Sequence, residues 1–250
     1  MYKESFLMAW ASLIANKMRS ILTMLGIIIG VAAVIALVSI GNGVKQDIQN
    51  SISSLGSNLL MVMPGAPRTP GVRPSAGSMK SLKVSDYEAI SKLDGVKAAS
   101  PMTNGSYVVI YQNKNWTTSV SGVSYNYLDV NNWSMKSGRF LSEKNVQNRE
   151  RVAVVGKTVV KNLFGDEDPV GAEIRVKNIP FRIIGVLNSK GSGAMGNDQD
   201  DMVIIPYTTA MERVEGVDYL RMIYVVGKDE NGIDRLQSDI ENLLRVRHGI

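Results

Sequence analysis

From Ile21 to Ile40 the chain reads ILTMLGIIIGVAAVIALVSI, a run without a single charged side chain. At about 1.5 Å of rise per helical residue, such a run matches the roughly 30 Å hydrocarbon thickness of a bilayer. Thr23 and Ser39 lie near its ends, so no polar stripe runs along it, and a helix that is apolar on every face points to a membrane span, not to a globular core helix. A secretory leader has a shorter apolar region, about 7–15 residues, and ends in a small-residue cleavage site. Here the run is longer and Gly41-Asn42-Gly43 follows it, so an uncleaved transmembrane helix is expected over 21–40.

Upstream, Phe6, Trp10, Leu13, Ile14 and Lys17 recur at the spacing of one helical face, starting near Ser5. Such a face, carrying Trp and a basic end, suits a membrane interface; simple extension of the membrane helix reads equally well. Lys3, Lys17 and Arg19 precede the span, while Lys45 after it is offset by Asp47, so the N-terminus is expected in the cytoplasm. Residues 1–20 thus read as a cytoplasmic or interfacial amphipathic segment, and 41–250 as a domain outside the cytoplasm. Within the span, Gly26 and Gly30 form a G-x-x-x-G with Ala33 and Ala36 beyond it, a spacing that lets another helix approach closely.

Beyond the span the period changes to that of short strands. Leu59 to Met63 reads as a strand stopped by Pro64, and Pro64 to Ser81, rich in Pro and Gly, as an excursion without a core. Ser85 and Glu88 have the spacing of a capping box for a helix over Asp86 to Leu93, with Ile90 and Leu93 as its buried face. A strand follows around Tyr107 to Gln112. Strands are expected over Arg151 to Val155, Glu173 to Val176, Phe181 to Leu187 and Met202 to Ile205, with a hairpin across Lys177 to Pro180 and a helix over Lys157 to Phe164 stopped by Gly165. Met222 to Val226 is a strand, and Ile233, Leu236, Ile240 and Leu243 mark an amphipathic helix after Asn231. Strand–helix units therefore bracket a β-rich stretch, and the second unit lacks the strand that should follow its helix.

Composition narrows the chemistry. The 250 residues hold no cysteine and one histidine, His248, which excludes thiolate metal sites, disulfides and a cysteine nucleophile and leaves no His cluster. Only 20% of residues are charged and 44% are hydrophobic, so the chain is not disordered as a whole. The balance of 28 Lys and Arg against 23 Asp and Glu gives a net charge of +5, too modest to name a partner. Gly191-Ser192-Gly193-Ala194-Met195-Gly196 matches a dinucleotide fingerprint, but an acidic loop and a strand follow it instead of a helix, so it reads as a hairpin loop. Gly156-Lys157-Thr158 resembles the end of a phosphate loop, yet Arg151 stands where the first Gly belongs. Asp198, Asp200 and Asp201 lack the spacing of a calcium loop. No catalytic set emerges, and no enzyme activity, cofactor or metal is expected in this chain.

The order of features resembles the permease subunits of MacB-type ABC transporters, specifically their first transmembrane helix and periplasmic core domain. The stretches that carry it are ESFLMAWASLIANKMRSILTMLGIIIGVAAVIALVSIGNGVK, SLGSNLLMVMPG, NWSMKSGRF, RVAVVGKTVVKNLFGDEDPVGAEIRVKNIPFRIIGVL and GNDQDDMVIIPYTTA, spread over most of residues 4–210. The resemblance implies an α+β fold: the transmembrane helix, then an extracytoplasmic domain of two β-α-β porter-like units, about 55–113 and 207–250, with a β-rich subdomain inserted at about 114–206. It also implies the N-terminal part of a permease in the bacterial inner membrane, exporting amphiphilic substrates such as drugs, peptides or lipid-linked molecules. A separate ATPase subunit would carry ATP and Mg, and three further membrane helices would follow the domain. A second permease copy, a periplasmic adaptor protein and membrane lipid are the implied partners, with no nucleic acid. By the same analogy Phe6, Trp10, Lys17 and Arg19 lie near the ATPase, and Gly26 and Gly30 pack membrane helices. The alternative is a single-pass anchored module that binds a ligand or acts as a sensor.

Overall fold

Helix α1 (Lys17–Leu55, 39 residues) outlasts the apolar run that predicts it. It passes straight through Gly41-Asn42-Gly43, since an isolated Gly costs a helix only about 1 kcal/mol and no Pro interrupts the turn. The computed structural model describes residues 3, 4, 6, 8, 17–55, 58–65, 81–193, 196–229 and 232–249, without the side chains of 46–55. It divides into two units, Met1–Asn50 and Ser51–Ile250.

In the second unit the elements run β1 (Leu59–Val62), α2 (Val84–Ile90), β2 (Val96–Tyr111), β3 (Lys114–Val123), α3 (Tyr127–Val130), β4 (Met135–Gly138), α4 (Glu143–Gln147) and β5 (Val152–Val155). There follow α5 (Lys157–Leu163), β6 (Glu173–Val176), β7 (Ile179–Leu187), β8 (Met202–Pro206), α6 (Tyr207–Thr209), β9 (Met222–Gly227) and α7 (Ile233–His248). All nine strands join one sheet in the order β1-β9-β2-β3-β8-β5-β7-β4, with β6 alongside β2 and β7. β9 lies between β1 and β2 and antiparallel to both, so β1-α2-β2 is a split β-α-β unit with the start of a second, β9-α7, threaded through it. Strands expected in the porter-like part and in the inserted part share this sheet, because β2 continues into a ladder with β3 from Met102↔Val123 to Tyr111↔Lys114.

Three apolar clusters cover the two faces. α2 and α7 lay Ile90, Leu236 and Ile240 over Ile223 and Val225 of β9. α5 lays Val159 and Leu163 over Ala153, Val155, Phe181 and Ile183. Val152, Val154, Ile184, Ile204 and Leu187 form the third on the opposite face. β5 is buried on both sides, which is why it reads as an unbroken Val-Ala-Val-Val. After α6 the chain makes a π-helical turn, Ala210–Glu215, that seats on Gly122: a Cβ built there falls 2.4 Å from the Ala210 Cβ.

Three local expectations change. The cap of α2 is not Ser85, which is exposed; the helix starts at Val84, and the Lys83 N–H donates to the Asp86 carboxylate at 2.9 Å. The strand expected at Tyr107 to Gln112 begins eleven residues earlier, at Val96. The β6–β7 hairpin turns on two residues, Lys177 and Asn178, both with positive φ (50° and 66°), the backbone of a type I′ turn whose twist matches the strands. The excursion expected over Pro64 to Ser81 falls largely outside the described residues.

Candidate functional site

Two features stand out, one a place where this chain can act and one a structural cluster. The first is α1. Its stretch Lys17–Lys45, 29 residues long, is apolar enough to cross a membrane, and none of it is buried against the rest of the protein. Ile21, Leu22, Ile27, Ile28, Val34, Ile35 and Leu37 are all more than half exposed, so exposure runs around the whole helix and not along one stripe. Apolar surface on this scale is stable only where lipid or other helices replace water. Thr23 fits that setting: its hydroxyl donates to the carbonyls of Arg19 (2.9 Å) and Ser20 (3.0 Å), leaving no unpaired donor.

Gly26 and Gly30 lie one helical turn apart on the surface of α1, with open space beyond each: a Cβ built at either meets nothing within 4 Å. Phe6 is helical and exposed, and Lys17 and Arg19 are exposed at the start of α1. Trp10, Leu13 and Ile14 lie outside the described residues.

The second feature escaped sequence reasoning. Asp86, 2% exposed, holds the end of α7 against the start of α2. Its carboxylate accepts from the Lys83 N–H (2.9 Å), from Arg247 Nε (2.8 Å) and from His248 Nε2 (3.0 Å). Burial works to raise the Asp86 carboxyl, but these donors outweigh it and keep it below its ordinary value. The lone histidine thus belongs to a structural ion cluster. Arg245, Arg247 and His248 also sit in the last turn of α7, where positive charge complements the helix dipole.

Elsewhere, several polar groups are engaged internally, whereas Thr118 Oγ1, Ser121 Oγ and Asn131 Nδ2 are buried without a hydrogen-bond partner. Asp198 accepts from Thr158 Oγ1 (2.6 Å), and Asp201 from Trp116 Nε1 (2.8 Å). Asp200 accepts from the Ser189 hydroxyl and from the amides of Lys190 (2.8 Å) and Gly191 (3.2 Å). These three carboxylates therefore brace the 189–201 hairpin, and among the described residues no group of three or more His, Cys, Asp or Glu could hold a metal. Gly156 is spoken for as well: a Cβ there would lie 2.2 Å from the Asp200 carbonyl oxygen, so its glycine serves strand contact. Burial, with Tyr207 adding to it, pushes the Tyr87 phenol up to about 12, and the two rings meet edge to face at 6.1 Å. Burial likewise lowers Lys190, whose ammonium donates to the Asn131 carbonyl and lies 4.6 Å from the Trp133 ring centre. An open groove of about 480 Å³ beside β7 is lined by Arg139, Glu150, Val152 and Arg182 among others.

Comparison with known proteins places this architecture. The model of the MacB-like periplasmic core domain family matches residues 20–243. A macrolide export ATP-binding/permease protein MacB from Rhodospirillum rubrum is 44% identical over 250 residues, covering 99% of this chain and 38% of that protein. One from Wolinella succinogenes is 39% identical over 246 residues, covering 98% of this chain and 38% of that protein. The chain thus spans well under half the length of these curated relatives. Among solved structures, the periplasmic region of MacB from Actinobacillus actinomycetemcomitans aligns with a TM-score of 0.67 at 26% identity, over 79% of this chain and 87% of that one. The extracellular domain of the noncanonic ABC-type transporter YknZ from Gram-positive bacteria shares the fold, with a TM-score of 0.64 at 18% identity over 77% of this chain and 95% of that one.

Proposed function

We propose, because this chain belongs to the MacB-like periplasmic core domain family, that it is the N-terminal part of a permease that exports amphiphilic substrates on energy from a separate ATPase. The observation that carries this is the stretch Lys17–Lys45 of α1, long and apolar enough to span a membrane and exposed on all sides, in a chain whose second unit is built on a single sheet. A helix of that kind has its stable place in a bilayer, and the domain joined to it needs no chemistry of its own if it works by moving.

Lys17 and Arg19, exposed at the start of α1, favour a cytoplasmic N-terminus, with residues 41–250 outside. In this reading Phe6, Lys17 and Arg19 face the cytoplasmic surface near the ATPase, and Gly26 and Gly30 receive a helix of the same permease or of a second copy. ATP and Mg belong to the ATPase; what this chain contributes is an anchor and a stiff sheet that turns displacement of membrane helices into displacement outside the membrane. A periplasmic adaptor is a further partner where the cell has an outer membrane.

The test is co-purification of the ATPase with the full-length permease from cell membranes, together with export of amphiphilic drugs or peptides by cells that hold both. Export that disappears when the ATPase is removed supports the reading. A full-length protein that neither retains an ATPase nor changes export refutes it and favours an anchored ligand-binding or sensor module.

A further inference from the structure

The two faces of the sheet at β1, β9 and the start of β2 are built from different side chains. On the face covered by α2 and α7 the strands present Leu60, Val62, Ile223 and Val225. Side chains alternate along a strand, so Met61, Met63, Met222 and Tyr224 stand on the opposite face, where Met102 and Tyr224 pack at the margin of the third apolar cluster. Met63 is 61% exposed, and Met102 and Met222 are half-buried.

The register sets three of these methionines in one row across three strands. Met222 of β9 pairs with Met102 of β2. On its other side β9 pairs with β1 as far as Val62↔Ile223, and the next step of the same register brings Met63 opposite Met222. The Gly227 N–H donates to the Asn58 carbonyl at 3.0 Å, so every second pair counted from there exchanges bonds, and Met63 with Met222 is one of the pairs in between. Such pairs are the closer kind, with Cα atoms about 4.5 Å apart against about 5.5 Å for hydrogen-bonded pairs. Met222 thus has a thioether neighbour on each side. Methionine is unbranched and turns about each bond of its side chain, so the outer two can lean their sulfurs toward the middle one. The adjoining row, Met61, Tyr224 and Ser100, carries no charge.

A sheet face that needs only apolar cover is better served by β-branched residues, as β5 shows with its run of Val. What three adjacent thioethers add is a set of soft sulfur donors. Thioethers suit Cu(I), whereas Mg, Ca and Mn take oxygen ligands and Zn takes thiolate, imidazole or carboxylate. The chain has no cysteine, so methionine is its only soft ligand. A thioether has no proton to lose, and it holds an ion without the proton release that His or a carboxylate shows. We infer that Met63, Met102 and Met222 form a site for one soft monovalent metal ion of the Cu(I) class on the face of the sheet opposite α2 and α7. Metal patterns built on His, Cys and carboxylates do not find it, because its ligands are far apart in the chain and meet only through strand pairing. The site rests on the register and stands independently of the permease reading.

The experiment adds silver ion alone, a soft monovalent probe that keeps its oxidation state, to the 250-residue chain in detergent with its methionine methyl groups isotopically labelled. One equivalent should bind and shift the methyl signals of Met63, Met102 and Met222, while that of Met211, packed in the α2–α7 cluster, stays in place. Met63→Ile with Met222→Ile keeps the face apolar with a residue that strands favour, and should weaken silver binding by about tenfold or more. Met61→Ile, on the same face but outside the row, should leave the affinity within about twofold. Affinity should also hold from about pH 8 down to about pH 6. Failure to bind silver, equal binding by the parent and the double variant, or shifts confined to other methionines each overturns the inference. So does a loss from Met61→Ile as large as that from the double variant, or binding about tenfold weaker at the lower pH, which marks a His or carboxylate site instead.

Discussion

Replacing Asp86 by Asn keeps the volume of a side chain that is 2% exposed and removes its charge. Three donors lose an anionic acceptor: the Lys83 N–H, Arg247 Nε and His248 Nε2, at 2.9, 2.8 and 3.0 Å. Hydrogen bonds to charged groups contribute about 1.5–3 kcal/mol when buried. The Arg247 and His248 side chains, however, keep 34% and 23% of their surface exposed, so solvent screens part of the attraction. The Asn carbonyl can still accept from Lys83. A net loss of about 2 kcal/mol follows, below the roughly 3–5 kcal/mol of a fully buried broken pair. For a unit of the length of Ser51–Ile250 this lowers Tm by about 4–8 °C. The pH dependence has a definite sign. Because the folded Asp86 carboxyl is held below its ordinary value of 3.8, the unfolded chain takes up the proton first as pH falls. The stabilisation is therefore complete above about pH 5 and is lost as pH drops through the folded value. Thermal unfolding in detergent, followed by the fluorescence of Trp116 and Trp133, should show a gap between parent and Asp86→Asn at neutral pH that closes in acid. A variant that melts within about 1 °C of the parent at neutral pH, or a gap unchanged down to about pH 3, refutes the account of this cluster.

Gly122→Val should cost about 1–3 kcal/mol, read as a lower Tm in the same assay, because even a Cβ at this position falls 2.4 Å from the Ala210 Cβ and 3.0 Å from the Tyr207 Cα. Gly26→Ile with Gly30→Ile should leave that melting temperature unchanged and weaken helix association in a membrane two-hybrid reporter several-fold; unchanged association removes the packing role. Lys17→Glu with Arg19→Glu should reduce the extracytoplasmic activity of a phosphatase fused after β1, since positive charge before the span sets its orientation. Asn178→Gly should raise stability by a few tenths to about 1 kcal/mol, as Gly adopts the positive φ of 66° without a Cβ penalty.

The elements legible in the sequence are those whose pattern is local. α7 announces itself by Ile233, Leu236 and Ile240, α1 by its unbroken apolar run, and the β6–β7 hairpin by two flanking apolar segments. The first half of β2 was hidden, because Val96 to Ser106 holds Pro101 and Gly105 and reads as a poor strand. Its neighbours make it one: β9 supplies the ladder on one side, and β3 pairing begins only at Met102, so the N–H that Pro101 lacks has no partner strand to miss. The Asp86 cluster was hidden for a different reason. Its members are 161 and 162 residues apart, and neither Ser85-Asp86 nor Arg247-His248 has a local pattern that refers to the other.

The pairing of β1 with β9 sets an order of events in the birth of this protein. Leu59 is made 167 residues before its partner Val226, so β1 stays unpaired with β9 until most of the sheet has been synthesised. At about 5–20 residues per second, that wait lasts from under ten to some thirty seconds. Throughout it the uncharged β1 lacks its β9 partner, and contacts this remote in sequence are slow to close. A nascent chain halted before Met222 lacks β9, the strand that seats β1, so the first strand of the sheet waits on one of the last.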